Sequence, residues 1–248
     1  MSRARDLADS ADKDIVGTIT VDGLTVAGNV SADGGTIKLD GNYPVGTNNV
    51  ALGDGSMSAV QAGADSNTAV GRLALTANTT ADYNTAVGGN SLRANTTGHT
   101  NSSFGQDAMR FNSTGASNVA VGQQALHNNT TASSNTAVGY QSLSANTTGG
   151  SNTAVGQSAL GNNTTGTRNT ALGRTALQSS TTGNDNTSAG YFSMYRNTTG
   201  QLNTAFGSNA LEENTTGANN VALGYKALEA NTTASNNTAM GYRASHDN

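Results

Sequence analysis

Residues 152–168 read NTAVGQSALGNNTTGTR, and close copies of this stretch precede and follow it along the chain. The leading Asn recurs every 17 residues from Asn67 to Asn237, and a Gly stands four places after each of these Asn residues. Asn49 precedes the series by 18 residues. Twelve such units fill residues 49–248, so the fold of this region is decided by repetition.

The length and composition of the unit predict its structure. We number its positions from the leading Asn as columns 1 to 17. A unit of 17 residues is too short for a helical-hairpin repeat, which has about 33–47 residues. Thr, Val, Asn and Gly, which dominate the unit, are poor helix formers. We therefore expect each unit to form one coil of an all-β parallel β-solenoid, in which the same column of successive coils stacks about 4.8 Å apart.

Each column tolerates certain residue types, which predicts its place in the coil. Columns three and eight hold Ala or Ser, whereas columns four and nine are mostly large and apolar. We expect columns four and nine to be the buried ladders, and the pairs three–four and eight–nine to lie on opposite faces of two strands. The Asn of column one and the Gly of column five suit a tight corner. In two central coils these structural ladder residues are Asn135, Val138, Gly139, Leu143, Asn152 and Gly156.

Charged residues are rare and confined to certain columns. They make up 11% of the chain, compared with about 25% in ordinary soluble domains. Those of the repeats lie in columns six, seven, ten, eleven, sixteen and seventeen, which we expect to face water. Like charges should seldom stack directly, because neighbouring coils would bring them into repulsive contact.

The overall composition excludes several functional classes. Thr, Asn and Gly number 36, 32 and 31 of the 248 residues, a bias that does not suit a mixed enzyme core. The net charge of −4 predicts no nucleic-acid partner, and the absence of Cys excludes disulfides and thiol nucleophiles. The sequence contains no run of about 18 apolar residues, so membrane insertion is not expected. The start MSRARDLADSADKD lacks the apolar segment of a secretory signal.

A single chain is not expected to be sufficient. Columns three, four, eight and nine carry no charge in any unit, so both faces of the predicted strands should be covered. One face would fill the coil, and the other would meet partner chains around an axis. We therefore predict a homotrimer, with a shaft of about 50 Å from eleven steps of about 4.8 Å.

Residues 1–48 break the period and are predicted to form an N-terminal attachment segment. A short helix from Ser2 to about Ala11, capped by Ser2, is expected. The sequences TITVDGLTV, at residues 18–26, and TIKL, at residues 36–39, predict short strands joined by tight turns. The predicted domains are therefore this segment and the twelve-coil rod of residues 49–248.

The repeat resembles two known groups of proteins. Its NTAVGxxAL core is similar to the NSVAIGxxS-type repeats in the heads of trimeric autotransporter adhesins, which form trimeric left-handed β-rolls. The whole layout, with MSRARDLAD, GTITVDGLTV, GNYPVGTNN and then NTAVG units, looks more like tail-fibre or other virion-fibre proteins of marine bacteriophages.

The phage resemblance implies a homotrimeric structural fibre of the virion, assembled in the host cytoplasm. Residues 1–48 would dock on other virion proteins, and the distal part would meet a host surface glycan or protein. A bacterial surface adhesin-type repeat protein is the alternative that the other resemblance implies.

Residues suited to catalysis or metal binding are sparse. His99, His127 and His246 fall in distant coils, so neither a shared metal site nor a cofactor is expected. No Ser/His/Asp set can be assembled, and we expect a protein that is not an enzyme. The acidic residues that a glycosidase pair would need show no fixed spacing and are expected on solvated edges; they include Asp82, Asp107, Asp185, Glu212 and Glu213.

Aromatic residues are the candidate receptor contacts. Several share column six in the later coils, and exposed rings could stack on the sugars of a host glycan. In the competing interpretation, the same rings shield strand edges or contact the next chain. The candidates are Tyr191, Phe192, Tyr195, Tyr225 and Tyr242.

The Thr columns suggest one further class of function. Columns two, thirteen and fourteen could form a flat ice-binding face. Adjacent residues in columns thirteen and fourteen should point in opposite directions, however, and Val50, Val119 and Val221 interrupt column two. An ice-binding β-solenoid is therefore kept as a second alternative to the fibre.

Overall fold

A computed structural model describes residues 48–245 of the chain, and the helix and strands predicted within residues 1–47 lie outside it. The described part contains twelve strands of three residues each and no helix. All twelve form one parallel sheet in sequence order, which confirms the predicted all-β parallel solenoid. The strands are β1 Val50–Leu52, β2 Thr68–Val70, β3 Thr85–Val87, β4 Ser102–Phe104, β5 Val119–Val121, β6 Thr136–Val138, β7 Thr153–Val155, β8 Thr170–Leu172, β9 Thr187–Ala189, β10 Thr204–Phe206, β11 Val221–Leu223 and β12 Thr238–Met240.

Each strand occupies columns two to four and pairs with the same columns of the next coil. Ala137 pairs with Ala154, and Val138 with Val155. The two Ala side chains point into the coil and are fully buried, whereas the two Val side chains are only partly buried on the outer face. The prediction that column four is a buried ladder is therefore wrong for a single chain. Alternate residues of a strand point to opposite sides, and the small column-three residues are the ones that point inward.

The second predicted strand does not form, because columns six to eleven are a run of turns. Columns seven and nine adopt left-handed backbone angles, with φ of 54° at Gln141 and 49° at Leu143. These angles break the alternation of an extended strand. Ser142 and Leu143, in columns eight and nine, both point inward and are fully buried, instead of facing opposite sides. Column nine is confirmed as the buried ladder of large side chains.

The corners are held by two buried columns of Asn. The side-chain Nδ2 of Asn152 donates to the Gly166 carbonyl at 2.8 Å, and its Oδ1 accepts the backbone N–H of Asn169 in the next coil at 2.9 Å. In column twelve, Asn163 Nδ2 donates to Asn146 Oδ1 at 2.8 Å and to the same Gly166 carbonyl at 3.0 Å. Each of these two Asn residues therefore ties its coil both to itself and to a neighbour, and the bonds satisfy buried polar groups of the corner. Asn163 Oδ1 is left without a donor, because the next residue of column twelve is Ser180 instead of Asn.

The column-five Gly residues also have the predicted corner geometry. Gly139 and Gly156 have φ of 130° and 135°, angles that residues with a side chain rarely adopt. At the opposite corner the Thr hydroxyls of column thirteen are used internally. Thr147 Oγ1 donates to the Thr164 carbonyl of the next coil at 3.0 Å, and Thr164 repeats the bond to Thr181 at 3.0 Å.

Column seventeen provides a test of the left-handed backbone. Leu202 has φ of 59° and is 52% exposed, whereas Asn219 and Asn236 fill the same column in the next two coils. Asn tolerates the left-handed region better than Leu does, so Leu202→Asn should raise the free energy of unfolding by about 0.5–1 kcal/mol. Urea denaturation followed by circular dichroism would measure the change. Leu202→Ala is the matched control, since it removes the apolar side chain but keeps the backbone strain. An equal gain from both variants would contradict the proposed cause.

Candidate functional site and interaction surfaces

The outer side of the sheet, formed by columns two and four of all twelve strands, carries no charged residue. We call it the sheet face. Large apolar side chains stand open on it, including Phe104, Leu172, Phe206 and Met240, which are 41% to 68% exposed. None of the charged residues among residues 48–245 lies in columns two or four. An exposed face that holds no charge has the chemistry of a surface that is covered in the assembled protein.

The dimensions of the sheet face also suit an interface. The sheet face is about 50 Å long, and a three-residue strand makes it about 10 Å wide, so its area is about 500 Å². The largest contiguous apolar patch on a typical monomer is about 300–600 Å² and is often functional, and the sheet face, whose column two is mostly Thr, falls within that range. A stable interface buries about 800 Å² on each partner, so the columns flanking the sheet face would contribute as well.

The structure brings the aromatic candidates into two separate groups. Tyr191, Phe192 and Tyr195 cluster on the ninth coil, with ring centroids 4.3 Å and 4.6 Å apart in edge-on contacts. Tyr225 and Tyr242 stack on the eleventh and twelfth coils, at 5.4 Å with 18° between the ring planes.

The ring faces in both groups already have neighbours. The guanidinium of Arg174 lies 5.6 Å from the centroid of Tyr191, and that of Arg243 lies 5.9 Å from the centroid of Tyr242. Lys226 Nζ lies 5.8 Å from the centroid of Tyr225. Stacking on a sugar needs an open ring face, and Tyr242, which is 73% exposed, keeps more of its ring open than Tyr191 or Tyr225, which are 44% and 42% exposed. Their role as receptor contacts stays a prediction.

A concave site of about 430 Å³ lies on the turn side of coils two to four, in columns ten and eleven. We call it the basic groove. Ala77 and Ala94 contribute small apolar side chains to it, and Arg93 and Arg110 supply positive charge. The remaining lining residues are Thr76 and Phe111.

The two arginines of the groove share column ten in adjacent coils, which is the like-charge stacking that the column pattern should avoid. Arg110 Nη1 lies 3.4 Å from Asp107 Oδ1, and its guanidinium lies 5.2 Å from the Phe111 centroid. Phe111 in turn meets His127 edge-on, with ring centroids 5.0 Å apart. Over residues 48–245, no carboxylate comes within ion-pair distance of Arg93. The groove therefore holds positive charge that is only partly balanced.

The structure corrects the predicted environment of Asp107. This residue is only 9% exposed instead of lying on a solvated edge, and it accepts a hydrogen bond from Asn90 Nδ2 at 3.1 Å. Farther along the rod, Glu212 and Glu229 share column ten in adjacent coils. Glu229 pairs with Lys226 at 2.8 Å, whereas Glu212 accepts a hydrogen bond from the amide of Asn209. In column eleven, Glu213 pairs with Arg196 at 3.2 Å.

One exposed ion pair shows how opposite charges use the stacking register. Arg168 Nε and Nη2 donate to the two carboxylate oxygens of Asp185, 17 residues later, at 2.7 Å and 2.9 Å. These hydrogen bonds lower the pKa of Asp185 and raise the pKa of Arg168. Because the Asp185 pKa is lowered, the pair stabilises the fold above the ordinary carboxyl pKa, and the effect is lost as the pH falls through the lowered value. Both groups are exposed, so salt screens the pair.

The histidines are not brought together by the fold. Within residues 48–245, His99 and His127 each hydrogen-bond to the side chain of the next residue, at 3.2 Å to Thr100 and 3.0 Å to Asn128. His246 lies outside the described residues. In the part of the chain that the structure describes, no three His, Asp or Glu side chains form a group that could hold a metal ion.

Residues 48–245 contain no helix that is long and apolar enough to cross a membrane. Comparisons with protein-family models, curated proteins and solved structures found no match for the chain. Hypotheses about function therefore rest on the sheet face, the aromatic groups and the basic groove.

Proposed function

We propose that the chain forms the shaft of a homotrimeric structural fibre and is not an enzyme. The observation that carries the proposal is the uncharged sheet face, which runs without interruption through all twelve strands. Such a strip offers the same surface on every copy of the chain, so identical chains can cover it by packing around a common axis. The resemblance to phage fibres favours a place on a virion, with residues 1–48 attached to the particle and the shaft contributing to contact with the host surface.

Three copies suit this face better than two. A dimer would cover about 500 Å² of sheet face on each chain, which is less than the roughly 800 Å² of a standard interface. Around a threefold axis each chain contacts two partners, so the flanking columns are covered along with the sheet face. The small residues of columns three and eight and the large residues of column nine fill the interior of each coil, which leaves the large column-four side chains free for contacts between chains.

Light scattering on the purified full-length chain tests the proposal. We expect a mass of three times 24.9 kDa at neutral pH, together with a β-sheet circular-dichroism spectrum. A mass of 24.9 kDa for the folded chain, unchanged on concentration, would contradict the trimer.

The sheet face also keeps the ice-binding alternative open. Column-two Thr and column-four Val, such as Thr153 and Val155, point out of the same sheet in regular rows. The column-thirteen hydroxyls already donate hydrogen bonds to backbone carbonyls, so this column does not suit the ice-binding face predicted from columns two, thirteen and fourteen. A face covered by partner chains cannot also meet ice. If the chain is monomeric and inhibits ice recrystallisation, the ice-binding function replaces the fibre proposal. If it is trimeric and does not inhibit ice recrystallisation, the fibre proposal is supported.

A further inference from the structure

The basic groove is built from consecutive coils of one chain. The backbone N–H of Ala77 donates to the Arg93 carbonyl at 3.1 Å, and that of Ala94 donates to the Arg110 carbonyl at 3.0 Å. These bonds hold columns ten and eleven in register from one coil to the next. The two arginine side chains therefore start from backbone positions one coil apart, about 4.8 Å along the axis, with the Ala side chains beside them.

The charge of the groove is unbalanced. Asp107 is the carboxylate that approaches Arg110, at 3.4 Å, and it also serves as the acceptor for Asn90. Arg93 adds a second positive charge, which no carboxylate of residues 48–245 neutralises by ion pairing. Two like charges in the same column destabilise the stack. An anion bound between the guanidinium groups would relieve that repulsion.

The shape and lining of the groove restrict the kind of anion. A guanidinium group presents forked donors that match a carboxylate or a sulfate. Arg93 has no competing ion pair within residues 48–245, whereas Arg110 Nε is buried and its Nη1 is directed at Asp107. The Ala77 and Ala94 side chains and the Phe111 ring offer apolar contact beside those donors. A sugar ring that carries an acidic group combines both features, since its C–H faces are apolar and its substituent is charged. A simple carboxylate would use only the charged part.

We propose that the basic groove binds an acidic saccharide. Its carboxylate or sulfate contacts Arg93 and Arg110, and its ring packs on Ala77, Ala94 and Phe111. The contact between the Arg110 guanidinium and the Phe111 ring restrains the arginine, which reduces the cost of ordering it on binding. The biological role, contact with a surface polysaccharide, rests on the fibre proposed above, whereas the binding itself requires one chain only.

Isothermal titration of the full-length chain with four polymers tests the ligand chemistry. The probes are oligogalacturonate, dextran sulfate, uncharged dextran and polyglutamate, at an ionic strength of about 0.15 M, where long-range charge effects are screened beyond about 8 Å. We expect one or both acidic saccharides to bind, with polyglutamate at least about tenfold weaker and dextran not binding. Binding of the uronate or of the sulfate identifies which acidic group is preferred. Equal binding of polyglutamate or dextran, or no binding of either acidic saccharide, would overturn the proposal.

Single substitutions locate the site. Arg93→Ala and Arg110→Ala should each weaken binding of the preferred saccharide by about tenfold or more, because each removes a charge-assisted hydrogen-bond donor. Phe111→Ala should weaken it by a smaller factor. Arg196→Ala is the matched control, since it removes the same charge from column eleven at a distant, already paired position. A comparable loss of affinity in the control would show that net charge, not the groove, is responsible.

Two further readouts keep the interpretation clear. Circular dichroism of each variant shows whether the solenoid remains folded. Light scattering of the same samples separates the two proposals. A monomer that binds the saccharide would support the saccharide site and contradict the trimeric fibre. A trimer that binds neither acidic saccharide would contradict the site and support the fibre.

Discussion

Val138→Asp is expected to convert the proposed trimer into folded monomers. Val138 lies on the outer face of the sheet, in register with Val121 and Val155 of the neighbouring coils. In an assembled fibre the new carboxylate would be buried against partner chains without a cation, which costs several kcal/mol for each chain. In a single chain the same carboxylate faces water and costs little. Light scattering should show the mass falling to that of one chain, while circular dichroism still shows the β-solenoid.

Gln157→Asp is the matched control for this prediction. It adds the same charge in column six of the next coil, outside columns two and four, where the side chain is exposed. We expect this variant to remain trimeric. Dissociation of both variants would point to net charge as the cause, and an intact trimer in Val138→Asp would show that the sheet face is not the interface.

Gly156→Ala is expected to destabilise the solenoid itself. A Cβ at this position would lie 2.5 Å from the carbonyl oxygen and 2.6 Å from the carbonyl carbon of Gly173 in the next coil. The φ of 135° is also unfavourable for any residue with a side chain. The neighbouring atoms belong to a backbone held in the coil ladder, where Gly156 N–H donates to the Val138 carbonyl at 2.7 Å. Backbone strain and overpacking together should lower the free energy of unfolding by about 2–5 kcal/mol, measured by urea denaturation.

Gly89→Ala provides the comparison for the corner glycine. Gly89 lies in column six, has no positive φ, and a Cβ built on it meets no atom within 4 Å. The unfolding free energy of this variant should stay within about 0.5 kcal/mol of the parent value. Similar losses from the two substitutions would contradict close backbone stacking at the Gly corner.

Repetition makes the main features of the fold readable from the sequence. A column that recurs in twelve coils must satisfy the same environment each time, so the Asn and Gly columns predict corners and the period predicts one coil per unit. The left-handed backbone of column nine could not be predicted, because buried Leu143 carries no signal for such an angle. The direction of column four also stayed open, since strand alternation separates columns three and four without showing which one points inward.

For the candidate surfaces, too, some features could be predicted from the sequence and others could not. Side-chain type alone directed attention to the tyrosines, but the faces of Tyr191 and Tyr242 are approached by arginines. The charge of the basic groove was visible in the sequence, because Arg93 and Arg110 are 17 residues apart and break the rule against stacked like charges. Its concave shape depends on how the turns fold, and that information is absent from the spacing.

The first coil shows how the rod accommodates a change in chain length. Asn49 Nδ2 reaches the carbonyl of Ala64, 15 residues later, whereas Asn67 makes the equivalent bond to Ala81 after 14 residues. The extra residue falls in the corner that contains Gly63, whose φ is 99°, and the strands on either side keep their pairing. A single inserted residue is thus absorbed locally. The reach of the shaft changes instead in whole steps of about 4.8 Å, so duplication or loss of one repeat in the gene would lengthen or shorten the rod without altering the chemistry of the other coils.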